Sequence, residues 1–302
     1  MSPPPSLTPS LGQEINTATR SLHTTLNRTI LSLLPLALPP HTSTPTLYAT
    51  GMTAILPIYE AFESTHTSLL SSPSLQPRTR HLLATLHIPA LLRSARLGAD
   101  LSHLLPDERT RELEQGPQLR DFLIHISHTI ETRPHLLIAY TWIFYLALFA
   151  GGRYLRKELR ESGIFPATSS SDDAEEENPG LTFWHFDSSA NEEELKNEFK
   201  ARVQGIEGSL TEDERRDVVQ EAGRVMGFLG DVVGEVEAWV ARGGGQAERG
   251  VEVRDGEVIG GGRSLMQLLN EAISLGIGFG RAVAGRLTFG SRGAVQGAVA
   301  LA

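Results

Sequence analysis

The sequence predicts an all-α protein with one insertion loop and a C-terminal segment tethered by a linker. Three observations favour this fold class. Apolar residues recur at helical spacing near the start of the chain, a long apolar stretch runs from Pro134 to Leu159, and a capping-box sequence begins at Thr211. With 302 residues, 40% of them hydrophobic, the chain can bury a large core.

The first half predicts three main helices. Ile15, Leu22, Leu26 and Leu33 form an apolar stripe that indicates a first helix over residues 12–34. A second helix is predicted over residues 46–70, bent at Pro57. A third follows Pro77 and bends or breaks near Pro89, because proline lacks the amide hydrogen that a helix interior needs. Shorter helices are predicted over residues 107–114 and 118–131.

The central stretch 134–159 is apolar enough to be buried on nearly every face, yet it contains Gly151 and Gly152. Each glycine costs a helix about 1 kcal/mol relative to alanine. The pair therefore indicates either close packing of one helix on another or a bend over a flat ligand such as a macrocycle. The residues alone favour neither explanation over the other.

The remaining boundaries follow from composition. Residues 1–11 indicate a disordered tail and residues 12–242 a helical domain, interrupted by a solvated acidic loop at 167–179. The segment 180–186 is expected to place two aromatic side chains in the core, and helices resume over 191–208 and 211–242. Residues 243–263 form a glycine-rich linker, and residues 264–302 form an apolar or amphipathic segment.

Composition excludes several classes of function. The chain has no cysteine, which rules out disulfides, thiolate metal sites and cysteine nucleophiles. The net charge is −9, with the acidic excess in the second half and no basic stripe, so a nucleic-acid-binding role is not expected. The N-terminus lacks the pattern of a secretory signal.

Two histidines could hold a metal. His23 lies beside the apolar stripe of the first helix, where a neutral imidazole facing a cavity could be the axial ligand of a heme iron; a surface or capping role is the competing explanation. Glu63 and His66 have the Glu-x-x-His spacing of di-iron helical bundles. That site needs a second copy of the motif, and the sequence contains none, so a di-iron centre is a minor alternative.

Three stretches together resemble the heme oxygenase family. They are ATRSLHTTLNR (18–28), PHLLIAYTWIFYLALFAGG (134–152), and GLTFWHF (180–186) followed by LKNEFKARVQGIE (195–207). The resemblance covers about residues 12–240. It implies an all-α, heme oxygenase-like fold in which heme is sandwiched between a proximal helix and a distal helix kinked at Gly151 and Gly152.

The resemblance also implies roles for individual residues. His23 would be the axial iron ligand, and Arg20, Lys196 and Lys200 would contact the heme propionates. Tyr59, Ala147 and Gly151 would line the distal pocket as its catalytic side, and Gly151 and Gly152 would touch the heme. Trp142 stands where the family usually has a tyrosine near a propionate.

The distal helix departs from the family. Ala147-Leu148 replaces a Gly-Asp pair whose aspartate organises water in the best-known members, Phe144 replaces a basic residue, and Leu229 replaces an asparagine. These changes indicate either a heme-binding protein without ring cleavage, or a branch that orders water through backbone groups near Ala147 and Gly151.

The leading hypothesis is therefore an oxidoreductase that cleaves heme to biliverdin, iron and CO, with electrons from NADPH through a diflavin reductase. A heme carrier or sensor on the same fold is the alternative, and a helical protein binding another small molecule or a di-iron centre is the third. We expect a cytoplasmic protein. Peripheral contact of residues 264–302 with the endoplasmic reticulum membrane is also open, since Arg281, Arg286 and Arg292 break that segment well short of a membrane span.

Overall fold

The computed structural model describes residues 9–105, 113, 116–165, 179–186 and 192–244. All of them belong to one compact unit, Met1–Glu252. Five predicted segments lie wholly or mostly outside these residues. They are the N-terminal tail, the helix at 107–114, the acidic loop, the linker and the C-terminal segment. The predictions for those segments stay predictions.

The described residues contain no strand, and nine α-helices in them account for most of the domain. The all-α prediction is confirmed. The helices are α1 (Leu11–Leu33), α2 (Thr46–Thr53), α3 (Leu56–Ser71), α4 (Pro77–Leu86), α5 (Ser94–Leu104), α6 (Pro117–Thr132), α7 (Leu137–Glu161), α8 (Glu192–Glu207) and α9 (Glu212–Ala241). Short 3-10 turns lie at Leu34–Ala37, Pro89–Leu91, Pro134–Leu136 and Thr182–Trp184.

The two longest amphipathic helices begin at capping boxes. Ser10 and Gln13 cap each other at the start of α1, and Thr211 and Glu214 do the same at α9. Both helices start within one residue of their predicted positions. On α1, Ile15 and Leu26 are buried as predicted, but Leu22 is 39% exposed, so its assignment to the apolar face was wrong.

The predicted helix over residues 46–70 is two helices, α2 and α3, and the prediction of one bent helix was wrong. Pro57 occupies the first turn of α3. Proline has no amide hydrogen, and its ring would clash with the carbonyl of Thr53, so α2 cannot continue through it. The first turn of a new helix tolerates both features. The predicted break near Pro89 is confirmed, since a 3-10 turn separates α4 from α5.

The core is built around α7. The helix runs through Gly151 and Gly152 without a break in its helical hydrogen bonding. Its inner face packs aromatic side chains against α3, and Phe62 stacks on Phe144 with ring centroids 5.4 Å apart. Both α1 and α7 pack against α9.

A buried carboxylate links three of these helices. Glu221 on α9 is fully buried and accepts hydrogen bonds from Tyr140 Oη on α7 and His125 Nε2 on α6, each at 2.7 Å. A buried carboxylate without hydrogen-bond donors would be costly, so these two bonds fix α6 and α7 against α9.

Asp100 on α5 anchors the short segment at residues 179–186. Its Oδ1 accepts hydrogen bonds from the amides of Gly180 and Thr182 and from the Thr182 hydroxyl, and its Oδ2 accepts one from the amide of Phe183 at 2.7 Å. The segment then buries Phe183 and Phe186, which confirms the predicted pair of core aromatics.

We expect Asp100→Asn to lower the free energy of unfolding by about 2–3 kcal/mol, because one amide nitrogen would face a backbone donor that needs an acceptor. Denaturant unfolding followed by far-ultraviolet circular dichroism measures this. Asp231→Asn, an exposed site on α9, is the matched control and should change stability by less than about 0.5 kcal/mol. Equal stability of both variants would contradict the anchoring role.

Among the described residues, one stretch, Pro134–Glu161, is long and apolar enough to cross a membrane, with a mean hydropathy of 1.5 in its most apolar window. In the folded domain 67% of that window is buried. The packing therefore identifies it as a core helix.

Candidate functional site

The candidate site lies on the faces of α1 and α7 that the core leaves open. On α1, Asn16, Arg20, His23 and Asn27 follow one another at intervals of three or four residues and so share one face of the helix. The neighbouring face of α1, with Ile15, packs in the core. The sequence therefore places His23 on the side of α1 that is not committed to packing.

His23 is exposed, and its Nδ1 lies 3.2 Å from the side-chain amide nitrogen of Asn27. Its Nε2 has no partner among the described residues. Partial desolvation lowers the pKa of His23 below the usual 6.5, which favours the neutral imidazole that binds metals. If the Asn27 amide turns so that its oxygen accepts from Nδ1–H, the Nε2 lone pair is free for a metal.

Asn27 is a functional candidate that the sequence interpretation missed. The signal was present, because a polar residue four positions after a histidine on a helix can reach its ring. Its contact with Nδ1 is the kind of interaction that orients a metal-binding imidazole.

On α7, the open face is made of small residues. Ala147, Ala150 and Gly151 are exposed, and a Cβ atom added to Gly151 would meet no other atom within 4 Å. Gly152 differs, since a Cβ there would lie 3.2 Å from the Trp184 ring. The glycine pair thus combines the two explanations that the sequence left open: Gly152 allows close packing, and Gly151 leaves space.

One direct side-chain hydrogen bond links α1 to α7. Trp142 Nε1 on α7 donates a hydrogen bond to Asn16 Oδ1 on α1 at 3.0 Å, and a Cβ atom on Gly12 would overlap the Trp142 ring at 2.2 Å. His23 lies two helical turns beyond Asn16 on the same face. Trp142 is buried and lies across α7 from Ala147 and Gly151, so this contact joins the two helices but does not line the open face of α7.

The cations implied by the resemblance lie on two helices. Arg20 is exposed on α1, and neither it nor Lys200 makes an ion pair within the described part of the chain. Lys196 and Lys200 share a face of α8. Lys196 pairs with Glu193 at 3.2 Å, and Arg153 on α7 lies 3.4 Å from the same carboxylate.

Lys200 is the cation best placed to take a further anion. Burial of its stem and the nearby charge of Lys196 both lower its pKa. An incoming carboxylate would offset both effects, because an opposite charge favours the ammonium form.

The other residues linked to the distal pocket lie away from the open face of α7 that carries Ala147 and Gly151. Tyr59 is 3% exposed, and its hydroxyl donates to the backbone oxygen of Phe144 at 3.2 Å. Leu148 and Phe144 are buried in the core, and Leu229 is half-buried. Tyr59 therefore does not reach the open face of Ala147 and Gly151 directly.

The di-iron alternative is not supported by the geometry at Glu63 and His66. Glu63 accepts hydrogen bonds from the Arg93 and Ser94 amides, the Ser94 hydroxyl and Tyr145 Oη, and His66 Nε2 lies 2.8 Å from the Leu83 carbonyl oxygen. Among the described residues, no group of three or more histidines and carboxylates could hold a metal ion. Both side chains have structural partners instead.

His66 gives the fold a dependence on pH. Burial lowers its pKa from 6.5 to about 4, so the unfolded chain binds a proton more readily than the native chain does. We expect its contribution, at most about 3 kcal/mol, to be intact above pH 6.5 and to be lost as the pH falls from 6.5 towards 4.

This dependence can be measured by urea unfolding at several pH values. His66→Gln, whose amide can still donate to the Leu83 carbonyl, should flatten the slope between pH 6.5 and 4. His103→Gln, at an exposed position of α5, is the control and should keep the wild-type slope. An unchanged slope in His66→Gln would show that other groups cause the dependence.

Comparisons with known proteins identify the family of this chain. The family model described as heme oxygenase matches residues 9–235. The heme-binding protein HMX1 of Saccharomyces cerevisiae is 25% identical over 249 residues, which cover 78% of this chain and 77% of that protein. Heme oxygenase 2 of mouse is 22% identical over 70% of this chain, and the match spans 62% of the mouse protein.

Solved structures show the same fold. Heme oxygenase-1 of the cyanobacterium Synechocystis, solved in complex with heme, aligns with a TM-score of 0.62 and 17% identity, covering 79% of this chain and 97% of that one. The heme oxygenase of Leptospira interrogans aligns with a TM-score of 0.60 and 18% identity, covering 75% and 100%. With the match over residues 9–235, these similarities establish that the chain belongs to the heme oxygenase family.

Proposed function

We propose that the chain binds heme between α1 and α7, with His23 Nε2 as the axial ligand, and that it cleaves the macrocycle oxidatively to biliverdin, iron and CO. The observation that carries the proposal is the exposed His23 ring, which has a free Nε2 and an oriented Nδ1, on the same helical face as Asn16, which is bonded to α7. Membership of the heme oxygenase family supports heme as the ligand.

The residues present fit such a group. Gly151 and Ala147 leave room for a flat ring against the backbone of α7, and Asn27 fixes the imidazole of His23. Arg20 and Lys200 offer uncommitted cations to two carboxylates, as the propionates require. The hydrogen bond between Trp142 and Asn16 joins α1 to α7.

When bound, heme supplies the oxygen chemistry of the reaction. The protein's own residues bind and orient it, and the apolar small-residue face of α7 excludes water from one side. The electrons are proposed to come from NADPH through a diflavin reductase.

A heme carrier or sensor is the second candidate, and one observation favours it. Leu148 and Phe144 are packed in the core of α7 and carry no polar group, while the Tyr59 hydroxyl is engaged with a backbone oxygen. The resemblance to the family implies polar residues at these positions in its best-known members. The name of the yeast relative, a heme-binding protein, is compatible with either candidate.

One experiment separates the candidates. The full chain is titrated with hemin and then incubated with NADPH and a diflavin reductase, with catalase present to remove free peroxide. Loss of the heme absorbance with formation of biliverdin supports cleavage. A stable heme spectrum supports the carrier, and failure to bind hemin would overturn both.

We also propose a cytoplasmic location with peripheral contact to the endoplasmic reticulum membrane through residues 264–302, which lie outside the described part of the chain. A flotation assay on anionic vesicles tests this, with a chain ending at Arg242 as the control. Equal flotation of both chains would contradict a role for the C-terminal segment.

A further inference from the structure

A cavity of about 170 Å³ lies where the starts of α4, α7 and α9 meet. Its lining includes Arg78 and Thr79 from the first turn of α4, Arg133 and His135 from the segment that leads into α7, and Glu214 from the first turn of α9. The start of α7 is about 20 Å along the helix from Gly151. The cavity is therefore separate from the proposed heme site.

The size of the cavity limits what it can hold. One buried water molecule needs about 10–15 Å³ of such space, whereas pockets for drug-sized ligands measure about 300–1,000 Å³. A volume between these values fits a group of several heavy atoms. The side chains of Arg78 and Arg133 are 50% and 42% exposed, so such a group can enter from solvent.

Arg133 is the cation of the lining whose donors remain open. Its Nη1 lies 3.4 Å from Asp217 Oδ2, and both side chains are partly exposed, which makes a weak ion pair. Its Nε and Nη2 make no hydrogen bond within the described part of the chain. Arg78, in contrast, donates to both carboxylate oxygens of Glu214 and to the Ser209 carbonyl oxygen. The charges of Arg78 and Glu214 therefore balance each other.

His135 adds a buried ring nitrogen to the lining. Its Nε2 has no hydrogen-bond partner among the described residues, and Asp217 Oδ2, at 3.8 Å, is beyond hydrogen-bond distance. Buried polar atoms in natural proteins rarely lack a partner. In the tautomer that carries the hydrogen on Nε2, or as an imidazolium, the ring can donate to a ligand.

The start of α4 contributes backbone donors. No side chain caps this helix, and the amides of Arg78 and Thr79 have no partner within the residues that the structure describes. Such amides favour anions. The carboxylate of the lining, Glu214, already accepts from Arg78 and from the Thr211 amide. Open donors without an open acceptor favour an anion over a cation.

We propose that this cavity binds a small oxyanion of the phosphate class, with Arg133 and His135 as its side-chain donors and the first turn of α4 as its backbone donor. Inorganic phosphate offers this chemistry, and so does the phosphate group of a larger molecule whose remainder stays in solvent. No step of this inference uses heme. Its failure and the failure of the proposed function are therefore separate results.

The first test is isothermal titration calorimetry of the full chain, without heme, with inorganic phosphate at constant ionic strength. We expect saturable binding that Arg133→Gln weakens about tenfold or more, because it removes a charge and the forked donors. Arg160→Gln, at an exposed position in the last turn of α7, is the control and should bind as wild type does. Absence of saturable binding in wild type, or wild-type affinity in Arg133→Gln, would overturn the proposal.

The second test follows affinity against pH, with sulfate as a probe of constant charge. Burial lowers the pKa of His135; Arg133 and Arg78 act in the same direction, and Glu214 and Asp217 oppose it. A bound anion favours the imidazolium, so the pKa is higher in the complex and affinity should rise about threefold or more from about pH 8 to about pH 5. His135→Gln should flatten this rise. The wild-type slope in His135→Gln would contradict the assigned donor.

Histidine-selective NMR of the wild-type chain makes the test independent of how the variants fold. Sulfate should raise the pKa of His135 by about half a unit or more, whereas the pKa of the exposed His103 on α5 should not move. If the pKa of His135 stays constant under saturating sulfate, the anion does not bind beside this ring, and the proposal is overturned.

The source of the anion is decided by comparing inorganic phosphate with glycerol 3-phosphate in the same calorimetric titration. Affinity for the ester that is about tenfold higher, and that Arg133→Gln lowers, supports the site with a phosphorylated molecule as its ligand. Equal affinities, both lowered by Arg133→Gln, support the site with the free anion.

Discussion

His23→Ala is expected to weaken hemin binding by about tenfold or more, to shift the heme absorbance band, and to abolish ring cleavage, because it removes the axial imidazole. The free energy of unfolding of the apoprotein should change by less than about 0.5 kcal/mol, since the ring is exposed and its only described contact is with Asn27. Optical titration and denaturant unfolding measure the two effects.

A chemical rescue sharpens this test. Free imidazole added to His23→Ala should restore a wild-type-like heme spectrum, because it can enter the space that the side chain has left. His128→Ala, at an exposed position of α6, is the control and should bind hemin as wild type does. If His23→Ala binds hemin with wild-type affinity, His23 is not the axial ligand, and the proposed site is contradicted.

Substituting the two central glycines should give opposite results. Gly151→Leu adds a side chain where the apoprotein has open space, so apoprotein stability should be unchanged or higher by up to about 1 kcal/mol, while hemin affinity falls about tenfold or more. Gly152→Leu forces a side chain against the Trp184 ring and should cost the apoprotein about 2–3 kcal/mol.

Denaturant unfolding and hemin titration of both variants check this contrast. Gly151→Ala offers a smaller probe of the same space. If Gly151→Leu binds hemin as tightly as wild type, the flat ligand does not approach α7 at this position, and the glycine serves only the helix.

Much of the fold was predictable because its signals are local. The capping boxes at Ser10 and Thr211 and the proline that opens α4 place helix starts within about one residue. Pro57 misled the prediction, because a proline that bends one helix and a proline that opens the next look alike in sequence.

The site was predictable in part. The face of α1 that carries His23 follows from spacing alone, and the resemblance to the family implied the role that we propose for it. The roles of Asp100 and Glu221 could not be predicted, since the groups that each carboxylate joins to its helix include residues 80 or more positions away in the sequence. Only the folded chain brings these groups together.

The hydrogen bonds to Asp100 fix the segment that follows the acidic loop at residues 167–179. Because that carboxylate fixes the register of the chain at Gly180, Thr182 and Phe183, changes in the length of the preceding insertion should not propagate to Trp184 or Phe186. Evolution is then free to lengthen, shorten or decorate the insertion. The same boundary offers protein engineers a place to graft a tag or a reporter domain without disturbing the proposed heme site.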